Sequence, residues 1–376
     1  MAVSELLSEL VRIDSINPDM VDGAAGEGEI ALFVTGWLED AGLEVEVEEL
    51  APGRFNTVGI ARGSGGGRSL LLNAHMDTVG VGGMERPFEP AVESGRLHGR
   101  GSYDMKAGLA AIMLAGADAA GAGLRGDVIV TAVADEEVAS IGSARIAERY
   151  TADAAILSEP TEMRLALAHK GFVGFEVETK GRAAHGSRPD LGIDAIAHMG
   201  HVLVGIEELD RRLRADPTHP LLGSGSLHAS VIEGGQEFSS YPARCALQAE
   251  RRTIPGESAE LAEREVLEIV ARAAEGDPDF RADVRAAISR EPFEVAEDAE
   301  IVESVRRHAT RVLGSVPATI GVPFWADSAL LAGAGIPTVV FGPSGEGLHS
   351  EVEWVDVDSL ERCVQIYAAV AADLCA

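Results

Sequence analysis

Several apolar, strand-like segments of this chain end abruptly in a histidine or a carboxylate. One is LLLNAHMD at positions 70–77, and others lead into GRGSYDMKAG at 99–108 and ADEE at 134–137. His75 and Asp77 stand two residues apart. Residues i and i+2 of an extended chain face the same way, so Asp77 can reach the second ring nitrogen of a metal-bound His75 and fix its tautomer. Strands that end in this way bring reactive groups to one edge of a sheet.

Helical and strand-like patterns alternate along the first part of the chain. Apolar strands are predicted at 69–73, 127–134 and 154–157. The helix predicted at 105–121 consists almost entirely of Ala, Leu, Ile and Met, so we expect it to be buried on most sides. This alternation indicates an α/β fold with a mainly parallel mixed sheet that helices cover on both faces.

The pattern changes after residue 170. The order strand, helix, strand, strand, helix, strand follows, which is the ferredoxin-like order. The α/β pattern resumes from about residue 297, and 376 residues are many for one hydrophobic core. We therefore predict a discontinuous outer domain of residues 1–170 and 289–376, with an inserted α+β lid domain of residues 171–288.

The charge and the cysteine content exclude several classes of protein. The chain has 31 basic and 61 acidic residues, a net charge of −30. Nucleic acid and anionic membrane surfaces are polyanions, so neither is an expected partner. The three cysteines lack metal-ligand spacing, and the first residues have helical spacing without a signal-peptide pattern. No apolar run approaches the roughly 18 residues of a membrane span. These features predict a soluble, cytoplasmic protein.

Lysine is rare in this chain. It occurs only at positions 106, 170 and 180, and the other basic residues are arginines. Lys106 lies inside GRGSYDMKAG, which indicates that its compact ammonium group matters there.

Candidate metal ligands follow five of the predicted strands or motifs. In chain order they are His75, Asp104, Glu136, Glu137, Glu159 and His349. Singly, each has an ordinary explanation as a helix start, a turn acid or a loop histidine. Together they are hard to obtain by chance. Two histidines and several carboxylates without a thiolate suit a pair of zinc-class ions about 3.5–4 Å apart.

The motifs HMD, GRGSYDMKAG, ADEE, SEP and GLHSE resemble, in order and separation, those of the M20 metallopeptidase family of di-zinc amidohydrolases. The resemblance covers nearly the whole chain and implies a zinc-exopeptidase type of fold. It implies two Zn²⁺ ions per subunit, with Co²⁺ or Mn²⁺ as possible substitutes. The implied ligands are His75, Asp104 and Glu159 for one ion, and Asp104, Glu137 and His349 for the other.

The resemblance also implies roles for residues around the ions. Asp104 would bridge the two ions, and Asp77 would orient His75. Glu136 would be the general acid and base, taking a proton from the attacking water and returning it to the departing amine. The peptide bond between Asp104 and Met105 is expected to be cis.

The inserted domain adds candidates for substrate binding by the same resemblance. His185, in GRAAHGSRPD, would reach into the partner subunit's active site and stabilise the tetrahedral oxyanion. Arg252 would bind the substrate carboxylate. Ser239 stands where the family has an asparagine, and Gly80 and Met84 stand where relatives often have proline and tryptophan. A histidine that acts in trans requires a homodimer formed through the lid domain.

The expected substrate is a small N-acyl-L-amino acid that loses a short acyl group. The segment GVPFWADSALLAGAGIPTVVFGP resembles acetylornithine deacetylase-like members more than desuccinylases, so acetylornithine is the leading candidate. Desuccinylation of N-succinyl-diaminopimelate and a dipeptidase or carboxypeptidase activity are alternatives. A metal-free binding protein of the same fold is an alternative of another class.

Overall fold

The computed structural model describes residues 1–376. Its helices are α1 (Val3–Arg12), α2 (Gly28–Asp40), α3 (Lys106–Ala120), α4 (Ile141–Arg149), α5 (Ala195–Ala215), α6 (Ala259–Ala273), α7 (Glu300–Leu313), α8 (Ser328–Gly333) and α9 (Val357–Leu374). Its strands are β1 (Glu44–Ala51), β2 (Arg54–Ala61), β3 (Leu70–His75), β4 (Ala91–Glu93), β5 (Arg96–His98), β6 (Val128–Val133), β7 (Ala154–Leu157), β8 (Leu165–His169), β9 (Gly171–Lys180), β10 (Ser226–Gly234), β11 (Arg244–Thr253), β12 (Arg281–Arg290), β13 (Phe293–Glu294), β14 (Thr319–Val322), β15 (Thr338–Val340), β16 (Gly345–Glu346) and β17 (Trp354–Asp356). None of the helices combines the length and the hydropathy that crossing a membrane requires.

The chain forms two compact units. The first comprises Met1–Leu167, Val295–Ile320 and Ala326–Ala376, and the second comprises Ala168–Glu294 and Gly321–Trp325. The main segment of the second unit therefore begins a few residues before the predicted inserted domain and ends a few residues after it, and Gly321–Trp325 joins this unit from the part of the chain predicted to be in the outer domain. Strand pairing accounts for the difference, because Phe293 of β13 pairs with His169 of β8 and Glu294 pairs with Ala168.

The main sheet of the first unit has a parallel centre and antiparallel flanks. Its central strands lie in the order β6, β3, β7 and β15, and each neighbouring pair is parallel. On one side β6 pairs antiparallel with β2 and β2 with β1, while on the other side β15 pairs antiparallel with β8. Every residue of the four central strands is buried, as expected for strands covered on both faces. The predicted mixed α/β fold is confirmed.

The register of the central strands aligns their carboxyl ends. His75, the last residue of β3, lies opposite Val133, the last residue of β6. Asn73 of β3 lies opposite Leu157 of β7, which in turn lies opposite Val340 of β15. The segments that follow these strands therefore leave the sheet at one edge.

A second, smaller sheet of the first unit connects two distant parts of the chain. Its strand order is β16, β17, β5 and β4. Trp354 of β17 lies opposite His98 of β5, and Val355 lies opposite Leu97. This sheet was not predicted, because its strands are only two or three residues long. It brings the segment after β5 close to the segment before β17.

The second unit contains an antiparallel sheet in the order β10, β11, β9 and β12. With α5 and α6 it has the predicted sequence of elements β-α-β-β-α-β. Val173, Phe175 and Val177 alternate along β9 and pack in one core with residues of both helices, including Met199 and Val266. The predicted α+β insert is therefore present.

Candidate metal centre

The side chain of His75 is buried at the end of β3. Its Nδ1 atom lies 2.9 Å from the backbone oxygen of Asp77 and 3.4 Å from Oδ1 of the same residue. A carbonyl oxygen only accepts hydrogen bonds, so Nδ1 carries the hydrogen. The Nε2 atom points to carboxylates, at 3.3 Å from Asp104, 3.8 Å from Glu159 and 3.9 Å from Glu136. The residue predicted to orient His75 therefore contacts it with its backbone as well as its side chain.

Asp104 lies between two histidines. Its Oδ1 atom is 3.3 Å from Nε2 of His75, and its Oδ2 atom is 3.3 Å from Nε2 of His349. The same nitrogen of His349 lies 3.2 Å from Oε2 of Glu137. The peptide bond between Asp104 and Met105 is cis. Each carboxylate oxygen of Asp104 thus faces a different histidine.

These side chains form two overlapping groups with possible ligand atoms. Within each group the atoms lie within 4.8 Å of one another, and Asp104 belongs to both. The groups are His75, Asp104 and Glu159, and Asp104, Glu137 and His349. Together with Glu136 we call these residues the histidine cluster. They are the two sets that the family resemblance implied for two ions.

Glu353 fixes the loop that carries Asp104, and it was not among the predicted site residues. Its Oε1 atom accepts backbone N–H groups from Tyr103 (2.8 Å) and Asp104 (3.0 Å). Its Oε2 atom accepts the N–H of Gly101 (3.0 Å) and the guanidinium of Arg100 (2.6 Å). Glu353 directly precedes β17, so the small sheet delivers it to this loop. The only signal in the sequence is an acid four residues after His349.

Burial and mutual repulsion dominate the electrostatics of Glu136 and Glu137 in the histidine cluster. Burial raises the pKa of Glu136 well above its ordinary value, and Glu159 adds to the rise. Burial and Asp104 likewise raise the pKa of Glu137. Asp104 and Glu137 raise the pKa of His349 to about 10. A cation bound nearby would favour the ionised form of these carboxylates.

The donor set fits divalent ions. Oε1 of Glu137 and Oε1 of Glu159 are buried and have no hydrogen-bond partner. Buried carboxylate oxygens normally have one, and a metal ion satisfies the same requirement. The donors are imidazole nitrogens and carboxylate oxygens, and all three cysteines of the chain are free. Such a set suits zinc, manganese or cobalt ions.

Asp327, at the start of α8, is a further buried carboxylate that the sequence did not single out. Both of its oxygens lack a hydrogen bond of normal geometry, although the hydroxyls of Ser143 and Ser140 lie near enough to affect it. Burial raises its pKa to about 6, against the effect of those hydroxyls. Its charge in turn helps to raise the pKa of Glu136.

Lys106, the lysine noted in GRGSYDMKAG, is fully buried. Its Nζ atom donates to the backbone oxygens of Leu10 (3.1 Å) and Ile13 (2.7 Å), at the end of α1. Burial lowers its pKa to about 7. The side chain therefore fixes the end of α1 and does not itself contact the histidine cluster through a hydrogen bond.

The three remaining candidates lie in the second unit. His185 is exposed, and its Nδ1 atom lies 2.8 Å from the hydroxyl of Ser187. Its backbone pairs with Ser240, and the adjacent Gly186 donates to the backbone oxygen of Ser239 at 2.6 Å. His185 and Ser239 are therefore neighbours on the surface of this unit.

Arg252 lies at the far end of β11 from those two residues. Its Nε atom is 2.6 Å from Oε1 of Glu250, and its guanidinium lies 5.1 Å from the centre of the Phe172 ring. Ser239 precedes the first residue of β11, Arg244, whereas Arg252 is near the last. Eight residues of extended strand separate the two ends by roughly 26 Å. One copy of this unit cannot bring all three candidates to the same small molecule.

Comparison with known proteins identifies the family. Residues 71–373 match the model described as peptidase family M20/M25/M40. The chain belongs to this family. It is 30% identical to acetylornithine deacetylase of Myxococcus xanthus, over 100% of this chain and 98% of that protein. It is 29% identical to N-formyl-4-amino-5-aminomethyl-2-methylpyrimidine deformylase of Halalkalibacterium halodurans, over 95% and 91%.

A solved structure shows the same fold. It is a dinuclear metal-binding peptidase of the M20 family from Bacillus subtilis, with a TM-score of 0.76, 17% identity, and coverage of 99% of this chain and 97% of that one. The predictions of the family, of the fold and of a hydrolase that acts on amide bonds are confirmed.

Proposed function

We propose that the chain is a two-zinc amidohydrolase that removes a short acyl group from an N-acyl-L-amino acid, with acetylornithine as the leading substrate. The observation that carries this proposal is the pair of ligand groups that share Asp104. His75 and Glu159 would complete one ion site, and Glu137 and His349 the other. Cobalt or manganese could take the place of zinc, because the donors are nitrogen and oxygen only.

The reaction would use Glu136 as general base and general acid. A pair of divalent ions bound here would lower the pKa of a shared water and polarise the amide carbonyl. Glu136 belongs to neither ligand group, and its carboxylate lies beside His75 and Glu159. It accepts the proton that the attacking water loses and returns it to the departing amine nitrogen.

The names of the relatives favour a short acyl group. One relative is named for removing an acetyl group and the other for removing a formyl group. Arg252 is our candidate for a substrate carboxylate, although Glu250 now occupies its Nε atom. A carboxylate ligand would therefore compete with Glu250 or bind the nitrogens that Glu250 leaves free.

The position of the lid candidates supports a homodimer. His185 and Ser239 lie near one end of β11, and Arg252 lies near the other. In a dimer, one protomer would supply Arg252 to a bound substrate and its partner would supply the histidine and the serine. His185 would then stabilise the oxyanion in trans. Sedimentation that finds a fully active monomer would refute this arrangement.

The decisive experiment is an assay of a substrate panel with removal and return of metal. The panel contains N-acetyl, N-formyl and N-succinyl amino acids together with dipeptides. We expect fastest turnover of acetylornithine, loss of activity on chelation, and recovery on addition of Zn²⁺ or Co²⁺. Preference for N-succinyl-diaminopimelate or for dipeptides would establish one of the rival activities. A protein that contains no divalent metal and hydrolyses none of the panel would instead be a binding protein of this fold.

A further inference from the structure

Asp77 connects the histidine cluster to another part of the first unit. Besides His75, its carboxylate oxygens accept the backbone N–H groups of Glu136 and Glu137, each at 3.2 Å. Its Oδ2 atom also accepts the side-chain amide of Asn17 at 2.8 Å. Asp77 and Asn17 are fully buried. The carboxylate of Asp77 therefore holds both the ring of His75 and the backbone of the two adjacent glutamates. The side-chain amide of Asn17 in turn holds this carboxylate.

Asn17 belongs to a second buried cluster. Its amide nitrogen also donates to Oδ1 of Asp135 at 3.0 Å, and Nη2 of Arg54 donates to the same oxygen at 2.7 Å. Arg54 contacts both oxygens of Glu27, through Nε at 2.7 Å and Nη2 at 2.8 Å. Glu27 also accepts the backbone N–H of Asp135 at 3.2 Å. We call these four residues, Asn17, Glu27, Arg54 and Asp135, the arginine cluster; all are buried.

The arginine cluster fixes a residue with an unusual backbone. Asp135 has φ 69°, in the left-handed region that is unfavourable for a residue with a Cβ atom. Its backbone N–H and its side chain are both bound within the cluster, which keeps it in this conformation. The next two residues are Glu136 and Glu137, whose carboxylates lie beside His75 and His349 respectively. The backbone turn at Asp135 thus determines the direction in which the side chains of Glu136 and Glu137 point.

We propose that Asn17 and Arg54 are positioning residues of the active site. Neither makes a hydrogen bond to the side chain of a proposed metal ligand, and Asn17 contacts Asp77, which orients His75. They act by holding Asp77 and Asp135 in the orientations from which Glu136 points to the reacting water and Glu137 to its ion. This inference rests on the proposed function, because it assigns these residues a part in that reaction.

The test compares Asn17→Ala with Asn73→Ala. Asn73 is also a fully buried asparagine of the first unit, and its side-chain amide donates to Ser143 at 3.1 Å and makes no hydrogen bond to Asp77 or Asp135. Replacing Asn17 removes hydrogen bonds to two buried carboxylates, and replacing Asn73 removes one to Ser143, so Tm should fall in both variants and is measured for both. We expect Asn17→Ala to lower kcat about 10- to 100-fold with little change in KM, as for other residues that orient metal ligands. Asn73→Ala should leave kcat unchanged.

A second measurement does not depend on turnover. The visible absorption of each protein loaded with Co²⁺ reports the geometry around the ion. We expect a changed spectrum or weaker Co²⁺ binding for Asn17→Ala, and an unchanged spectrum for Asn73→Ala. If Asn17→Ala does not fold, Arg54→Lys replaces it in both measurements. Lysine keeps the charge but cannot donate to Glu27 and Asp135 in the same planar geometry, so it should also lower kcat and alter the spectrum.

The outcomes separate this inference from the proposed function. A wild-type protein that binds Co²⁺ and turns over the panel, with Asn17→Ala and Arg54→Lys variants of unchanged kcat and spectrum, overturns the positioning role alone. An equal loss of kcat in Asn73→Ala also overturns it, because the effect would then follow from stability. A wild-type protein that neither binds Co²⁺ nor hydrolyses any substrate overturns both proposals.

Discussion

The first unit contains two buried clusters of carboxylates that differ in how their charge is neutralised. In the arginine cluster, the guanidinium of Arg54 donates to Glu27 and Asp135, and no buried oxygen of either acid lacks a partner. In the histidine cluster, one oxygen each of Glu137 and Glu159 has none. An arginine completes the first cluster within the chain itself. The second would be completed by the divalent ions that we propose it binds.

The largest effect should come from changing the one carboxylate of the histidine cluster that is not a proposed ligand. Glu136→Gln keeps the shape of the side chain but cannot accept a proton. We expect kcat to fall by about 10²–10⁴-fold, the usual contribution of a general acid and base. Metal content, measured by elemental analysis, should stay at two ions per chain.

The adjacent residue provides the control for that variant. Glu137→Gln should lower metal affinity, because its Oε2 belongs to the group with Asp104 and His349. If Glu136→Gln retained full activity, or if it lost metal as Glu137→Gln does, the division of roles between the two glutamates would be wrong.

Removal of Arg54 should break the arginine cluster whether or not metal is present. Arg54→Met leaves two buried carboxylates without their cation, which typically costs about 3–5 kcal/mol. Arg62→Met is the matched control, because Arg62 also contacts two acids, Glu44 and Asp127, but on the surface. Its loss should cost no more than about 1 kcal/mol. The free energies of unfolding, from urea titrations with a chelator present, measure both.

Equal destabilisation by the two substitutions would contradict this contrast. Equal losses would mean that the surroundings of Arg54 screen charge as strongly as water does. The ion pairs of the arginine cluster would then contribute no more to stability than ion pairs on the surface. The burial of Arg54 and Glu27 argues against that result.

Divalent ions should stabilise the histidine cluster alone. An ion at 100 times its dissociation constant adds about 2.7 kcal/mol per site. His349→Ala should remove one of two sites and so about half of the stabilisation, measured as the shift of the urea midpoint on adding Zn²⁺. Asp19→Asn, which changes only the exposed partner of Arg54, should leave the shift unchanged. An identical Zn²⁺ response in His349→Ala would exclude this residue as a ligand.

The two clusters also differ in how far the sequence predicts them. Residues of the histidine cluster follow apolar strands or bounded motifs, so their convergence follows from parallel pairing of β3, β6 and β7. His349 was a candidate from its motif, but its partners were implied only by the resemblance, because the small sheet next to it has strands too short to predict. Glu353 was missed for the same reason.

The arginine cluster left almost no local signal. Asn17 lies in a loop after α1, and Arg54 is the first residue of β2. Asn17 and Asp135 are 118 positions apart in the chain, and Arg54 and Asp135 are 81 apart. Side-chain contacts between such distant segments depend on the packed tertiary structure, which neither hydrophobic periodicity nor turn composition determines.

Lys106 is a buried cation without a carboxylate in contact, and its effect on stability should depend on pH. Its pKa is about 7 in the folded chain and about 10.4 in an unfolded one, so between these pH values the unfolded chain binds more protons. The stability of the wild type should therefore rise with pH over this window, by up to about 1.4 kcal/mol per pH unit. Lys106→Met should lack that contribution, so the difference in unfolding free energy between the two proteins should change between pH 7 and 10.

Lys180→Met is the control for this difference. Lys180 is half exposed and paired with Asp283, which raises its pKa, so its replacement should leave the slope over the same window unchanged. Parallel pH profiles for the wild type and Lys106→Met would show that Lys106 stays charged in the fold. The carbonyl oxygens of Leu10 and Ile13 would then stabilise a buried cation as effectively as Glu27 and Asp135 stabilise Arg54. A buried cation would in that case not need a carboxylate partner.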